Sequence, residues 1–547
     1  MPESRGGDLL VRLMREHGVD TAFGVVSVHN LPLVEAVAEQ LRFVPVRHEA
    51  AAVNAADGYA RSRGGLGVAI TSTGTGAGNA AGAMVEARTA GSPVLHVTGQ
   101  IDIGYLGQGR GVIHETTDQL GMLTAVSQYA ATVTSAAGAG KVLREAAASA
   151  LTTPTGPSSV EWPIDLQYAR QNRAAATTEP IATHPAPASD AVELAASALA
   201  AARRPAIWAG GGATAAREQL RELAERTGAA VFTSNSGRGS LPEDHELVVG
   251  NFATSAEGAR LLADADLLLS VGTHFRSNET QHYALQLPQR HIQVDIEADA
   301  IGRVYPATVG LHGPSDVVLS AILARFDERP PAPEPAWRGR VVETRNAVRE
   351  QLREAIGPYA VICDELRDRL PREAPIARDV TIPSSQWGNR LLEIYRPETN
   401  LFPVGGGIGQ GLATGIGAAI QRPGTPTAVI AGDGGLAVHL GELATLAQER
   451  PWLVLLVFND GGYGVLRNMQ QAHSGRSSGV DLFTPDFGRL CRSLDLPHAL
   501  VNRVEKFPDA LADALDRRGP SVIEVDVTAL GPTPVPFVPP VHVPDDS

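Results

Sequence analysis

The chain carries a strand–turn–helix phrase that leaves few folds open. Thr427-Ala428-Val429-Ile430 is a short, continuously apolar run, the mark of a parallel strand covered on both faces. It leads into Ala431-Gly432-Asp433-Gly434-Gly435, and the residues from Leu436 to Gln448 then follow a helical period. Asp433 is therefore expected where a strand gives way to a helix N-terminus, with glycines on either side that let backbone N–H groups approach a phosphate. A second buried strand, Leu453 to Phe458, ends in Asn459-Asp460-Gly461-Gly462-Tyr463-Gly464. Two strand-end aspartates and a backbone carbonyl in a glycine turn offer hard oxygen ligands. Together with diphosphate oxygens and water, these suit Mg²⁺. Ordinary Asp/Gly turns also occur at strand ends, and it is the pairing of the two phrases that argues for a magnesium-diphosphate site.

The same alternation recurs along the chain. Leu66 to Thr71 and Val94 to Thr98 read as strands, with helices over Ala50 to Arg63 and Asn79 to Ala90. Further on, Ala206-Ile207-Trp208, Leu267 to Val271 and Ile292 to Asp295 are strand-like, and Gly411 to Ile420 is helical. Such alternation predicts an α/β protein of three doubly wound parallel-sheet domains. Proline-punctuated stretches at 171–187 and 329–336 separate them, giving domains over 1–170, 188–328 and 340–530. A length of 547 residues with 43% apolar residues supports cores of that number. The net charge of −14 argues against nucleic acid or an anionic membrane as partner. Cys363 and Cys491 form neither a disulfide framework nor a metal motif. With no export signal and no apolar run of membrane-spanning length, a cytoplasmic enzyme is expected.

These motifs resemble the GDG…NN signature of thiamine-diphosphate (ThDP) enzymes, the family of acetolactate synthase, benzoylformate decarboxylase, pyruvate decarboxylase and benzaldehyde lyase. The resemblance extends over nearly the whole chain as a pyrimidine-binding, a central and a diphosphate-binding domain. It implies ThDP and Mg²⁺ as cofactors, with Asp433, Asp460 and the Gly462 carbonyl on the metal and Gly432, Gly434, Gly435, Tyr463 and Gly464 around the diphosphate. The second Asn of the signature is Asp460 here, which adds a negative charge beside the diphosphate. In Val46-Arg47-His48-Glu49, Glu49 matches the family glutamate that hydrogen-bonds N1′ of the aminopyrimidine, so that the 4′ nitrogen can take the thiazolium C2 proton. A helix-start acid is the plain alternative. The run Gly405-Gly406-Gly407-Ile408-Gly409-Gln410-Gly411 resembles the family loop in which the Gly406 carbonyl accepts from the 4′-amino group and Ile408 is the apolar wedge. Because glutamate and wedge lie in different domains, the resemblance implies a site shared across a dimer interface. A homodimer is then the minimum, with a homotetramer expected by analogy.

For the central block, Gly210-Gly211-Gly212 after a strand invites a dinucleotide reading, and Arg276 could face a nucleotide or serve as a surface salt-bridge partner. Glycine turns after strands are common, so FAD is disfavoured. The resemblance places Ser27, Val28 and His29, Ser72 and Thr73, His114 and Leu466 at the substrate pocket, with His29 and His114 as candidate proton carriers. Ser72 and Asn278 stand where benzoylformate decarboxylase has histidines, and Leu466 stands where pyruvate decarboxylase has an acid. The expected chemistry is the making or breaking of a C–C bond beside a carbonyl, as 2-oxo acid decarboxylase or as acyloin lyase and carboligase acting on 2-oxo acids, 2-hydroxy ketones or aldehydes. A flavin- or nicotinamide-dependent oxidoreductase would leave Glu49, Asp433 and Asp460 without a role. A catalytically silent ThDP-binding regulatory subunit would be expected to lack Glu49.

Overall fold

A computed structural model describes residues 5–170, 186–328 and 330–540, so nearly all of the first proline-punctuated stretch lies outside the described residues. Three six-stranded sheets follow one another along the chain, each with every pairing parallel. The first holds β1 (Thr21–Gly24), β2 (Arg42–Pro45), β3 (Gly67–Thr71), β4 (Val94–Gln100), β5 (Tyr129–Thr132) and β6 (Ser158–Pro163), in the order β2-β1-β3-β4-β6-β5. The central sheet holds β7 (Pro205–Ala209), β8 (Ala230–Thr233), β9 (Val248–Gly250), β10 (Leu267–Val271), β11 (His291–Asp295) and β12 (Val309–His312), ordered β12-β11-β10-β7-β8-β9. The last holds β13 (Ile376–Arg378), β14 (Asn400–Leu401), β15 (Thr427–Gly432), β16 (Leu453–Asn459), β17 (His498–Val501) and β18 (Ser521–Asp526). Its order, β14-β13-β15-β16-β18-β17, repeats that of the first sheet. In both, the direction of winding reverses between the first and third strands, where an open α/β sheet leaves a crevice at its carboxyl edge.

Helix α1 (Glu49–Arg63) is built from alanines, is capped by His48, whose ring accepts from the Ala50 N–H at 3.1 Å, and ends at Gly64 in the left-handed region. It is buried because it packs antiparallel on α4 (Gly411–Gln421) of the last domain. A methyl group added at Gly58 would meet the Thr414 carbonyl oxygen at 1.9 Å, and one added at Gly417 would meet the Ala55 carbonyl oxygen at 1.9 Å. Backbones that close need glycine, and one hydrophobic core runs through both domains. The remaining helices that position the site are α2 (Thr75–Ala90), α3 (Pro335–Ile356), α5 (Asp433–Val438), α6 (Glu442–Glu449) and α7 (Gly464–Ser474). No helix of the described residues is long and apolar enough to cross a membrane.

Three local expectations need correction. The helical period from Leu436 to Gln448 is two helices, α5 and α6, because the chain turns at His439-Leu440-Gly441 and sends the His439 ring to the Gly409 carbonyl at 2.9 Å. The helix expected from Asn79 begins at Thr75, on the glycine turn after β3. The stretch 329–336 is not all linker: α3 starts at Pro335, where a missing N–H costs nothing, and lays Trp337, Val341 and Val348 into the central core.

Candidate active site

In the last sheet, register pairs Gly432 with Phe458, so Asp433 and Asp460 emerge side by side at the carboxyl edge. The Asp433 Oδ1 accepts from the Asp460 N–H at 3.1 Å. Asp433 Oδ2 and Asp460 Oδ1 are both buried and have no hydrogen-bond partner among the described residues. Arg467 approaches Asp460 Oδ1 only to 3.7 Å, beyond hydrogen-bond range. Burial, then the neighbouring Asp433, pushes the Asp460 carboxyl up to about 6, and burial also raises Asp433. Two crowded carboxylates short of donors fit a hard divalent cation. Gly434 lets the third oxygen approach, since a side chain there would lie 2.5 Å from the Gly462 carbonyl oxygen.

The Gly405–Gly411 loop is held from three domains. Asp379, which follows β13 and is fully buried, accepts from the N–H groups of Gly409 and Gly411 at 3.0 Å each. Burial raises its pKa even though these bonds, with one from Val380, oppose the shift. From the first domain, Glu86 on α2 accepts from the Gly405 N–H at 2.7 Å. Arg276 of the central domain donates to the Val404 carbonyl at 2.6 Å and the Thr89 carbonyl at 3.4 Å. It makes no salt bridge among the described residues and ties three domains together at the loop. Ile408 stands out from the loop, 39% exposed. The central glycines are taken up by packing: a side chain at Gly210 would meet the Gly272 carbonyl oxygen at 2.1 Å.

Glu49 lies at the start of α1, half-buried, with Oε2 accepting from Asn79 at 3.0 Å. Its Oε1 faces Gly76 at the start of α2, where an added methyl would come within 3.1 Å. Ten residues further along the same helix, Glu86 holds the Gly405 loop. At 1.5 Å per residue, the seven to ten residues from Asn79 or Gly76 to Glu86 put Glu49 and that loop about 10–15 Å apart along α2 within one chain. The antiparallel packing of α1 on α4 points the same way, since the C-terminal end of α1, where Arg61 donates to the Asn400 and Phe402 carbonyls, is the end near the loop and Glu49 is at the other.

His29 and His114 meet. Their rings are 5.4 Å apart and nearly perpendicular. His29 is buried after β1 with Nδ1 unpartnered among the described residues, and burial, then His114, lowers its pKa. His114 takes a left-handed backbone (φ +67°) in a loop packed on Gly74, and the adjacent Glu115 pins that loop by accepting from the N–H groups of Gly109, Gly111 and Val112. Ser72, whose hydroxyl is buried and has no partner among the described residues, and Thr73, bonded to Gln119 at 2.8 Å, follow β3 at the same crevice. Ser27 lies on the β1 turn beside His29, its hydroxyl 3.3 Å from the His29 N–H. Val28 and Leu466 are exposed in a single chain, at 62% and 47%.

Sequence reading missed Asp379, Glu86, Asn79 and His439. An acid directly after a strand at the switch point was a usable signal for Asp379. Glu86 acts across domains and left none; Asn79 meets Glu49 within the first domain and His439 meets Gly409 within the last, through contacts that exist only once each domain has folded.

Three parallel sheets with acidic, glycine-lined carboxyl edges on the outer two define an enzyme that grips a diphosphate cofactor. The chain belongs to the thiamine pyrophosphate enzyme family. Residues 4–122 match the N-terminal TPP-binding domain, 192–322 the central domain and 383–525 the C-terminal TPP-binding domain. It is 34% identical to a protein of Pseudomonas aeruginosa named probable 2-ketoarginine decarboxylase, over 95% of this chain and 93% of that one. It is 27% identical to the large subunit of acetolactate synthase isozyme 2 of Escherichia coli, over 96% of each. A sulfoacetaldehyde acetyltransferase of Castellaniella defragrans is 28% identical over 96% of this chain and 94% of its own.

Proposed function

We propose that the chain is a ThDP- and Mg²⁺-dependent enzyme that breaks or makes the C–C bond beside the carbonyl of a 2-oxo acid. The observation that carries this is the pair of buried, donor-starved oxygens on Asp433 and Asp460. Those aspartates and the Gly462 carbonyl would hold Mg²⁺ against the cofactor diphosphate, with Glu49 on the pyrimidine N1′, the Gly406 carbonyl on its amino group and Ile408 beneath it. ThDP, when bound, supplies the electron sink that lets the bond between a carbonyl carbon and its carboxylate break. His29 and His114 move a proton at the substrate oxygen, and a neutral His29, favoured by burial, is ready to accept one. Val28 and Leu466 exclude water once covered. The 2-oxo acid class draws support from the relative named for 2-ketoarginine decarboxylation.

The separation of Glu49 from the Gly405 loop supports a homodimer at least. A single pyrimidine ring cannot touch both in one chain, so the Glu49 domain of one chain works with the Asp433 domain of another. In titrations of the metal-stripped protein, ThDP should bind tightly only when Mg²⁺ is present. A panel of 2-oxo acids, including one with a guanidinium tail, should then yield CO₂, with aldehyde or ligated product. Glu49→Gln should keep ThDP binding and lose turnover by roughly 10²–10⁴-fold; normal turnover in that variant removes Glu49 from the chemistry.

A further inference from the structure

Between the central and last domains lies a cavity of about 380 Å³, within the size range of small-ligand pockets. Thr254 and Asn278 line it from the central domain, Gln386 and Arg390 from the turn after β13, and Val535 and Phe537 from the segment after β18. Gln386 donates to the Val535 carbonyl at 3.0 Å, and Asn468 on α7 donates to the Phe537 carbonyl at 3.0 Å, which fixes the outer wall. Arg390 enters with part of its surface open. By contrast, Arg238 makes a two-point pair with Glu243 at 2.7 and 2.6 Å, and Arg367 donates to the Glu393 carbonyl at 2.8 Å. The Arg390 side chain has no hydrogen bond or ion pair to any described residue, nor has the Asn278 amide. Burial lowers the Arg390 pKa with no carboxylate to oppose it. A half-buried guanidinium without a counterion among the described residues is free to take an anion from solvent, and its planar fork matches a carboxylate.

The cavity is close to the metal loop. Helix α7 begins at Gly464, and Asn468 lies about 6 Å along it. On the other side, a side chain at Gly464 would be 3.2 Å from the Ile382 Cδ1, and Gln386 is four residues beyond Ile382. We propose that the cavity binds a carboxylate of a small organic acid, with Arg390 as its counterion, and that this acid is the far end of a 2-oxo diacid substrate. The substrate assignment rests on the ThDP reading above; the carboxylate site does not. Apolar walls from Leu352, Val535 and Phe537 suit the methylene stem of such an acid.

The test uses the full chain with ThDP and Mg²⁺, and glutarate as a probe that cannot react. Calorimetry should show glutarate binding that weakens roughly 10- to 100-fold in Arg390→Met, the range of a lost charge-assisted contact, and is partly restored in Arg390→Lys. Circular dichroism confirms that the variants fold. In kinetics, Arg390→Met should raise KM for 2-oxoglutarate by the same factor while leaving 2-oxopentanoate unchanged. Glutarate binding that depends on Arg390, without that KM split, supports the site and overturns the substrate assignment in favour of a separate acid effector. Glutarate binding that is absent, or equal in wild type and Arg390→Met, overturns the site. ThDP titration on the same samples separates these outcomes from failure of the cofactor reading, since a chain that ignores ThDP yet binds glutarate through Arg390 sinks only the latter.

Discussion

Replacing Asp433 with alanine removes one of two carboxylates that burial and proximity already strain. ThDP retention in the presence of Mg²⁺ should be lost, whereas Asp460→Asn, which keeps an oxygen ligand and removes a charge, should bind ThDP as well as or better than wild type. Titrating ThDP into each variant decides this, and equal affinity for wild type and Asp433→Ala would end the metal assignment. The pH dependence has a definite sign. The Asp460 carboxyl titrates near 6 in the fold, above its ordinary value of 3.8. Ionisation therefore costs the metal-free fold stability as pH rises through about 6, and protonation relieves that cost as pH falls below it. Mg²⁺ binds the ionised pair, so the rise in Tm caused by adding Mg²⁺ should grow between about pH 5 and pH 7.5 and shrink in Asp460→Asn. His29→Ala and His114→Ala should each retain ThDP binding and exchange of the cofactor C2 proton, followed by NMR after acid quench, while losing turnover. Unimpaired turnover in both would remove the ring pair from proton transfer.

At the scale of elements, the contact between α1 and α4 leaves no room for a methyl group. Gly58→Ala must push the helices apart or bend one, which in a packed core costs about 1–3 kcal/mol. Tm should fall and ThDP affinity with it, because the same two helices set where Glu49 and the Gly405 loop stand; an unchanged Tm would mean the helices are not in this contact. What the sequence revealed of the elements follows the range of the forces involved. The strands β15 and β16 were legible because continuous apolar runs bounded by glycine have few other uses, and α1 because an alanine-rich stretch ends in Gly64. The break between α5 and α6 was hidden because the period continues through it, and the His439 bond to Gly409 that accompanies the break joins residues thirty positions apart. The hold of Glu86 on the Gly405 loop spans 319 positions and leaves no local trace.

For the whole molecule, the decisive question is whether one chain can supply a complete site. Mixing two inactive variants, Glu49→Gln and Asp433→Ala, answers it. If each site takes Glu49 from one chain and Asp433 from another, random reassociation of an equal mixture gives heterodimers carrying one doubly altered and one intact site. About a quarter of all sites are then wild type, and activity should return to that level. No recovery would place each site within a single chain.

The reciprocal glycine contacts between α1 and α4 have a further meaning. These helices occupy equivalent places in two sheets of the same strand order, each between the second and third strands of its own sheet. Gly58 meets Thr414 and Gly417 meets Ala55 at the same distance, and in each helix the glycine lies three residues after the position it is contacted at. The first and last domains are thus related by an internal pseudo-twofold axis, and the seam between them is isologous in kind, one surface pairing with its own counterpart. A seam of that kind is self-complementary, so a first domain cut free of the rest would present a face suited to pairing with a second copy of itself.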